Sequence, residues 1–127
     1  MTIEIMDERF TVCKVESVPQ ELLDDRFCFV GKTDKELSLV CRTDLVPAQT
    51  LAREDGWRGM RVTGTLDFSL IGILSRISSI LAEAGVGIFV ISTYDTDYVL
   101  VKENMLEKAA NALHAGGIDV TYVSQLG

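Results

Sequence analysis

The 127-residue sequence lacks a basic run and a long apolar run. It has 12 lysines and arginines against 19 aspartates and glutamates, a net charge of −7 that disfavours nucleic-acid binding, because phosphate contacts need a positive face. No apolar stretch reaches the ~18 residues of a membrane-spanning helix, and the N-terminus has neither the basic nor the apolar region of a signal peptide. We therefore expect a cytoplasmic protein that binds neither nucleic acid nor membrane.

Residues that usually carry catalysis or metal binding are also scarce. Cys13, Cys28 and Cys41 form no C-x-x-C pair and lie in apolar runs, which predicts buried thiols rather than disulfides or a zinc site. The single histidine, His114, has no nucleophile or carboxylate visibly paired with it, and no Walker A or G-x-G-x-x-G motif is present. The sequence predicts a protein that is not an enzyme and has no cofactor or metal. A small enzyme acting on an acyl or phosphoryl compound remains an alternative that would need an unrecognised nucleophile.

The second half of the chain has a clear periodic pattern, and 47% apolar residues are enough for a core. The predicted elements are a strand at 60–66, a helix at 70–84, strands at 86–91 and 97–102, a helix at 105–113 that Asn104 caps, and a strand at 118–122. This βαββαβ order predicts an α+β, ferredoxin-like fold. We also expect Trp57, just before it, to be a core or interface residue.

The first half is harder to interpret. Strands are predicted at 10–15, 27–30 and 36–42, with a single helical turn at 19–23. No linker rich in proline, glycine or serine separates the two halves, so we expect them to pack together, with a division between residues 1–56 and 57–127.

A polar loop, Ser92-Thr93-Tyr94-Asp95-Thr96-Asp97, joins the two middle strands of the second half. Its carboxylates, next to an aromatic ring, would attract a cation such as an α-ammonium group. Asp and Thr are also common in solvated turns, so a simple turn is the alternative. A metal site formed by Asp95, Asp97 and Glu103 is a weaker alternative, because its ligand count is low for calcium.

The predicted start of the first helix of this half offers the opposite polarity. Residues 66–72 connect strand to helix, and the free backbone amides of a helix N-terminus suit a carboxylate. Ser69 can cap the helix, and Gly72 lets a ligand or another backbone approach closely. Every helix has such an end, so an ordinary cap is the alternative. Together, the amides and the acidic loop predict a pocket for a small zwitterion.

Two segments carry a family resemblance: Gly72-Ile-Leu-Ser-Arg-Ile-Ser-Ser-Ile-Leu-Ala-Glu-Ala-Gly85 and Ile91-Ser-Thr-Tyr-Asp-Thr-Asp-Tyr-Val-Leu-Val101. They resemble the ACT modules of aspartate kinases and of the CASTOR arginine sensors. With Gly31-Lys-Thr-Asp34 and Asp55-Gly-Trp-Arg-Gly59, the whole chain resembles a small, mostly bacterial CASTOR-type ACT protein. The resemblance implies an ACT domain at 57–127, packed with a shortened, divergent ACT-like half at 1–56.

The resemblance implies a non-enzymatic regulatory module that binds an amino acid at an ACT–ACT interface of a homodimer. The α-carboxylate would meet the helix start, and a positive group would meet Asp97. The expected ligand-binding residues are Phe68, Ser69, Leu70, Ile71, Gly72, Ser92, Thr93, Tyr94, Asp95 and Asp97. The alternative is a dimerising protein-interaction module with a vestigial pocket.

Overall fold

The structure is a computed structural model that describes residues 2–63 and 72–123. These two ranges contain seven strands, three helices and two 3₁₀ turns. The strands are β1 (Thr2–Lys14), β2 (Cys28–Lys32), β3 (Leu37–Arg42), β4 (Ala52–Thr63), β5 (Phe89–Ser92), β6 (Asp97–Lys102) and β7 (Asp119–Tyr122). The helices are α1 (Gln20–Leu23), α2 (Ile73–Glu83) and α3 (Leu106–Ala115), and the 3₁₀ turns are Thr43–Leu45 and Glu103–Met105.

The chain divides into two compact units. The C-terminal unit consists of Met1–Asp7 and Arg58–Gly127, and the N-terminal unit consists of Glu8–Trp57. Strands β1 and β4 cross these boundaries, so each contributes one part to each unit. The boundary after Trp57 lies one residue from the predicted division, whereas the first seven residues are grouped with the second half.

The C-terminal unit contains a sheet with the strand order β7-β1-β4-β6-β5. Strands β5 and β6 form an antiparallel hairpin, and β7 runs parallel to β1 with Thr2 opposite Asp119 and Ile5 opposite Tyr122. From β4 to β7 the elements follow the predicted βαββαβ order, which confirms the α+β class. The start of β1 is an additional strand that the sequence did not predict, and it lies between β4 and β7.

The core of the C-terminal unit lies between one face of this sheet and the two longer helices. Alternation along the strands places residues such as Ile3 and Val99 on that face, and helical spacing places Ile77 and Leu113 opposite them. Each of these four side chains is at most 1% exposed. The complete buried cluster is Ile3, Ile5, Met60, Val62, Ile77, Leu81, Val86, Val99, Val101, Leu106, Ala109, Leu113 and Ile118.

One predicted helix cap is wrong. Asn104 lies inside the 3₁₀ turn Glu103–Met105, and α3 begins two residues later, at Leu106. Met105 occupies the N-cap position of α3 and makes no side-chain cap hydrogen bond. Asn104 therefore does not cap α3, because the 3₁₀ turn moves it away from the cap position.

The N-terminal unit has the strand order β2-β3-β1-β4, with β2–β3 and β1–β3 antiparallel. Its elements follow the order strand, helix, strand, strand, 3₁₀ turn, strand. Helix α1 has only four residues, and the turn Thr43–Leu45 stands where a second helix would complete a ferredoxin-like unit. Trp57 is 8% exposed, as expected for a core residue. That this unit is a divergent ACT domain stays a prediction.

The β2–β3 hairpin of the N-terminal unit corresponds to the β5–β6 hairpin of the C-terminal unit. The offset is 60 residues, so Thr33 corresponds to Thr93 and Leu37 to Asp97. The turn of the first hairpin closes with a bond from Thr33 N to Glu36 O of 2.9 Å, and that of the second with a bond from Thr93 N to Thr96 O of 2.8 Å. A 3₁₀ turn follows the second strand of each hairpin. The hairpin of the N-terminal unit therefore provides a matched control for experiments on the other one.

All three cysteines lie in the N-terminal unit and are free thiols. Cys13 and Cys41 are buried with Val15, Leu22 and Leu39 in one apolar cluster, and the partly exposed Cys28 packs against it. The predicted burial is confirmed for two of the three thiols.

Burial raises the pKa of the Cys41 thiol from about 9 to about 12. In the unfolded chain this thiol loses its proton at lower pH than in the folded protein. The contribution of Cys41 to the free energy of unfolding should therefore be complete below about pH 9 and be lost as the pH rises towards 12. Denaturant unfolding of the wild type and of Cys41→Ala, measured across this range, checks the prediction. The variant should lose less stability with pH, and equal losses would contradict it.

Candidate functional site

The tip of the β5–β6 hairpin lies beside the C-terminal end of β4. The Thr96 hydroxyl donates a hydrogen bond to the backbone oxygen of Val62, one residue before β4 ends. This bond attaches the polar loop to the end of the strand that leads towards α2.

The start of α2 lies towards the end of the sheet that carries the tip of the β5–β6 hairpin. Strand β5 begins six residues after α2 ends, so the helix C-terminus lies near the end of the sheet away from the hairpin tip. The helix packs along the sheet through Ile77 and Leu81. Its 11 residues span ~16 Å and the 4 residues of β5 span ~13 Å, so the helix returns close to the level of the tip.

Ser92 and Asp97 form the first cross-strand pair behind the turn. The Ser92 hydroxyl donates to Asp97 Oδ1 over 2.6 Å, which holds the half-buried carboxylate in one orientation. Within the described residues, the second oxygen of Asp97 has no hydrogen-bond partner. It can therefore accept a hydrogen bond from a cationic group.

Two threonine hydroxyls of the loop have structural roles. The Thr93 hydroxyl donates to Thr96 O over 3.0 Å and accepts from Thr96 N over 3.3 Å, while the Thr96 hydroxyl is bonded to β4. These bonds stabilise the turn. Tyr94 and Asp95 form its bend and are exposed, and the Tyr94 ring is accessible over its whole surface.

Gly72 is the N-cap residue of α2, three residues after the predicted cap at Ser69. Its φ of 102° lies in the left-handed region, which favours glycine. A Cβ there would meet no described atom within 4 Å, so backbone conformation rather than crowding requires the glycine. The first helical bond runs from Arg76 N to Gly72 O, which leaves the amides of residues 73–75 without an intrahelical partner. The other predicted residues of this loop, Phe68, Ser69, Leu70 and Ile71, lie outside the described residues.

Arg61 is the nearest described cation on β4, and Glu4 already neutralises it. Arg61 Nη2 donates to Glu4 Oε1 over 2.7 Å, and its guanidinium lies 6.0 Å from the centre of the Tyr98 ring. Hydrogen bonding to Glu4 raises the pKa of the Arg61 side chain. Sequence reasoning missed this pair because it did not predict the strand that carries Glu4.

The alternative metal site at Asp95, Asp97 and Glu103 does not form. Asp97 begins β6 and Glu103 follows its end, a separation of ~20 Å along the strand. Glu103 lies instead 3.9 Å from Arg58 Nη1. In residues 2–63 and 72–123, no three histidine, cysteine, aspartate or glutamate side chains are grouped to hold a metal ion.

A cleft of about 390 Å³ lies in the N-terminal unit, apart from the predicted site residues. Sequence reasoning missed it, since its walls are loop residues without a motif. It is lined by Glu16, Ser17, Pro19, Pro47, Ala48, Gln49, Thr50 and Leu51. Separately, no helix in the described part of the chain is long and apolar enough to cross a membrane.

The chain belongs to the ACT domain family, because the family model for the ACT domain matches residues 52–115, half of the 127 residues. Its structure is similar to the crystal structure of protein Atu0741 from Agrobacterium tumefaciens. The TM-score is 0.89 with 31% identity, and the match covers 98% of this chain and 94% of that one. No curated protein matches the chain.

More distant structures share the fold alone. The ligand-free regulatory subunit of aspartate kinase from Thermus thermophilus gives a TM-score of 0.63 at 11% identity, over 91% of this chain and 96% of that one. Aspartate kinase from Synechocystis gives 0.70 at 16% identity, over 99% of this chain but only 28% of the kinase. The predicted ACT domain fold is confirmed, whereas the CASTOR-type identity and the tandem arrangement stay predictions.

Proposed function

We propose that this protein is a non-enzymatic, cytoplasmic regulatory module that binds an amino acid at an interface between ACT domains of a homodimer. The observation that carries the proposal is the orientation of the Asp97 carboxylate by Ser92. This carboxylate lies at the end of the sheet near which α2 starts. Membership of the ACT domain family supports a ligand-binding role.

The two poles suit the two charges of an amino acid. Helix α2 begins without a side-chain cap and without an acidic residue in its first turn, so nothing described there competes with a bound carboxylate. The amides of residues 73–75 and the positive end of the helix dipole would stabilise the α-carboxylate. Asp97 would accept from the α-ammonium group or from a cationic side chain.

Ligand contacts from a second ACT domain would complete the site. Tyr94 is fully exposed at the hairpin tip, and β5 is the end strand of the sheet order in the C-terminal unit. An end strand has free backbone groups that can pair with another chain. A ligand that contacts both domains would favour their association by its differential affinity for the docked state.

A dimerising interaction module with a vestigial pocket is the second candidate function. The observation that favours it is the position of β5 at the end of the strand order of the C-terminal unit, where its backbone can pair with another chain. Partner binding would then use the edge of β5 without a small molecule.

A thermal-shift measurement with each of the twenty amino acids distinguishes these functions. An amino acid present at about 100 times its dissociation constant should stabilise the protein by ~2.7 kcal/mol and raise its melting temperature. We expect a rise with one or a few chemically related amino acids. If none of them raises the melting temperature, the amino-acid module is rejected and the interaction module is favoured.

A further inference from the structure

We propose that Cys28 and Cys41 are a reversible modification site that forms a cross-strand disulfide by exchange with a low-molecular-weight disulfide. Both residues lie in the N-terminal unit, and their Cα atoms are direct partners in the β2–β3 register. The inference is independent of the proposed ligand site.

The hydrogen-bond phase of the hairpin places the two thiols close together. Thr33 N donates to Glu36 O at the turn, so residues 33 and 36 form a hydrogen-bonded pair. Hydrogen-bonded and non-hydrogen-bonded pairs alternate along an antiparallel ladder. The Cys28–Cys41 pair is the fifth pair after the pair of residues 33 and 36. It is therefore a non-hydrogen-bonded pair, whose Cα atoms lie about 4.5 Å apart with side chains adjacent. A disulfide spans Cα separations of about 4.4–6.8 Å.

The corresponding hairpin of the C-terminal unit shows how close such side chains come. Ser92 and Asp97 are also a non-hydrogen-bonded pair, directly beyond the bonded pair Thr93–Thr96. Their side-chain oxygens are 2.6 Å apart. Side chains of this type of pair in this fold therefore reach contact without movement of the backbone.

Cys13 provides an internal control. It lies opposite Leu39, whereas Thr11 lies opposite Cys41, so Cys13 and Cys41 are diagonal neighbours. Diagonal positions are ~7–8 Å apart, too far for the Cβ atoms of a disulfide, which lie about 3.5–4.5 Å apart. Strand β3 separates Cys13 from Cys28. The geometry thus selects one of the three possible cysteine pairs.

Exposure sets the order of the chemical steps. Cys28 is partly exposed on β2, the end strand of its unit, whereas Cys41 is 0% exposed. The Cys28 thiolate attacks one sulfur of glutathione disulfide, the S–S bond breaks, and one glutathione leaves as a thiolate that takes up a proton. The Cys41 thiolate then attacks the Cys28 sulfur and releases the second glutathione. Two protein thiols are oxidised and one glutathione disulfide is reduced to two thiols.

The test uses the full chain in buffers with increasing ratios of oxidised to reduced glutathione. Samples are quenched with an alkylating agent and examined by intact mass and peptide mapping. We expect monomers that lack the mass of two hydrogens, a linked peptide containing Cys28 and Cys41, and an alkylated Cys13. Cys13→Ser should form the same linkage, and neither Cys28→Ser nor Cys41→Ser should form it.

Burial raises the pKa of both Cys28 and Cys41, so the linkage should form faster as the pH is raised from neutral towards 9. Three outcomes would overturn the proposal, and the wild type alone reveals each of them. These are a lasting glutathione adduct on Cys28 with Cys41 alkylated, a linkage that includes Cys13, and three alkylated thiols at every ratio.

Discussion

Replacing Asp97 by alanine is expected to weaken the binding of the proposed amino-acid ligand by about 1.5–3 kcal/mol, roughly a 10- to 150-fold rise in Kd. Ser92 holds the carboxylate over 2.6 Å, and its second oxygen accepts no hydrogen bond from the described residues, so the substitution would delete a charge-assisted bond from an oriented acceptor. Isothermal titration of the wild type and the variant, with the amino acid identified by thermal shift, measures the difference.

The matched control is Asp34→Ala, in the corresponding turn of the N-terminal unit. Asp34 is an exposed carboxylate on a hairpin with the same turn bond, so its loss removes the same charge at a position outside the proposed site. We expect Asp34→Ala to leave Kd unchanged. An unchanged Kd in Asp97→Ala would remove Asp97 from the site, and equal weakening in both variants would indicate a general effect of charge.

Leu113→Ala is expected to lower the free energy of unfolding by about 2–5 kcal/mol, a large share of the total of ~5–15 kcal/mol for a typical domain. Leu113 is 0% exposed on α3 and packs in the cluster that joins both helices to the sheet of the C-terminal unit. Truncation removes buried methyl groups and leaves a cavity. Denaturant unfolding followed by circular dichroism measures the loss.

Leu51→Ala is the control for this core prediction, because the chemical change is the same at a side chain that is 59% exposed. Its effect should stay within ~0.5 kcal/mol. If both variants lose the same stability, the buried cluster is not the main source of stability in the C-terminal unit.

The periodic part of the C-terminal unit was predictable from sequence. Its helical spacing placed Ile77 and Leu81 on one face of α2, and both are 0% exposed. Strand β6 spans the predicted residues 97–102. These elements were predictable because each buries its own regular apolar pattern, which local sequence reveals.

The start of β1 was not predictable by the same reasoning. Its Ile3 and Ile5 flank the charged Glu4, which is stabilised by Arg61, 57 positions along the chain. Local composition cannot reveal a partner at that distance in sequence. The cap predicted at Asn104 failed for a different, local reason, since the 3₁₀ turn at Glu103–Met105 has the residues expected of a helix start.

The residues of the candidate loop were predictable from sequence, but the hydrogen bonds between their side chains were not. The sequence identified the polar residues 92–97, and the structure separates their roles. Thr93 and Thr96 use their hydroxyls to hold the turn, whereas Ser92 orients Asp97. The ligand-binding role of all ten predicted residues stays a prediction.

An amide ¹H–¹⁵N spectrum recorded with and without the amino acid identified by thermal shift tests the proposed site most directly. A ligand held between the start of α2 and the β5–β6 hairpin should shift the amide signals of residues 72–75 and 92–97. The corresponding N-terminal hairpin, residues 32–37, should remain unchanged. Shifts confined to the residues that line the N-terminal cleft, from Glu16 to Pro19 and from Pro47 to Leu51, would contradict the proposed site.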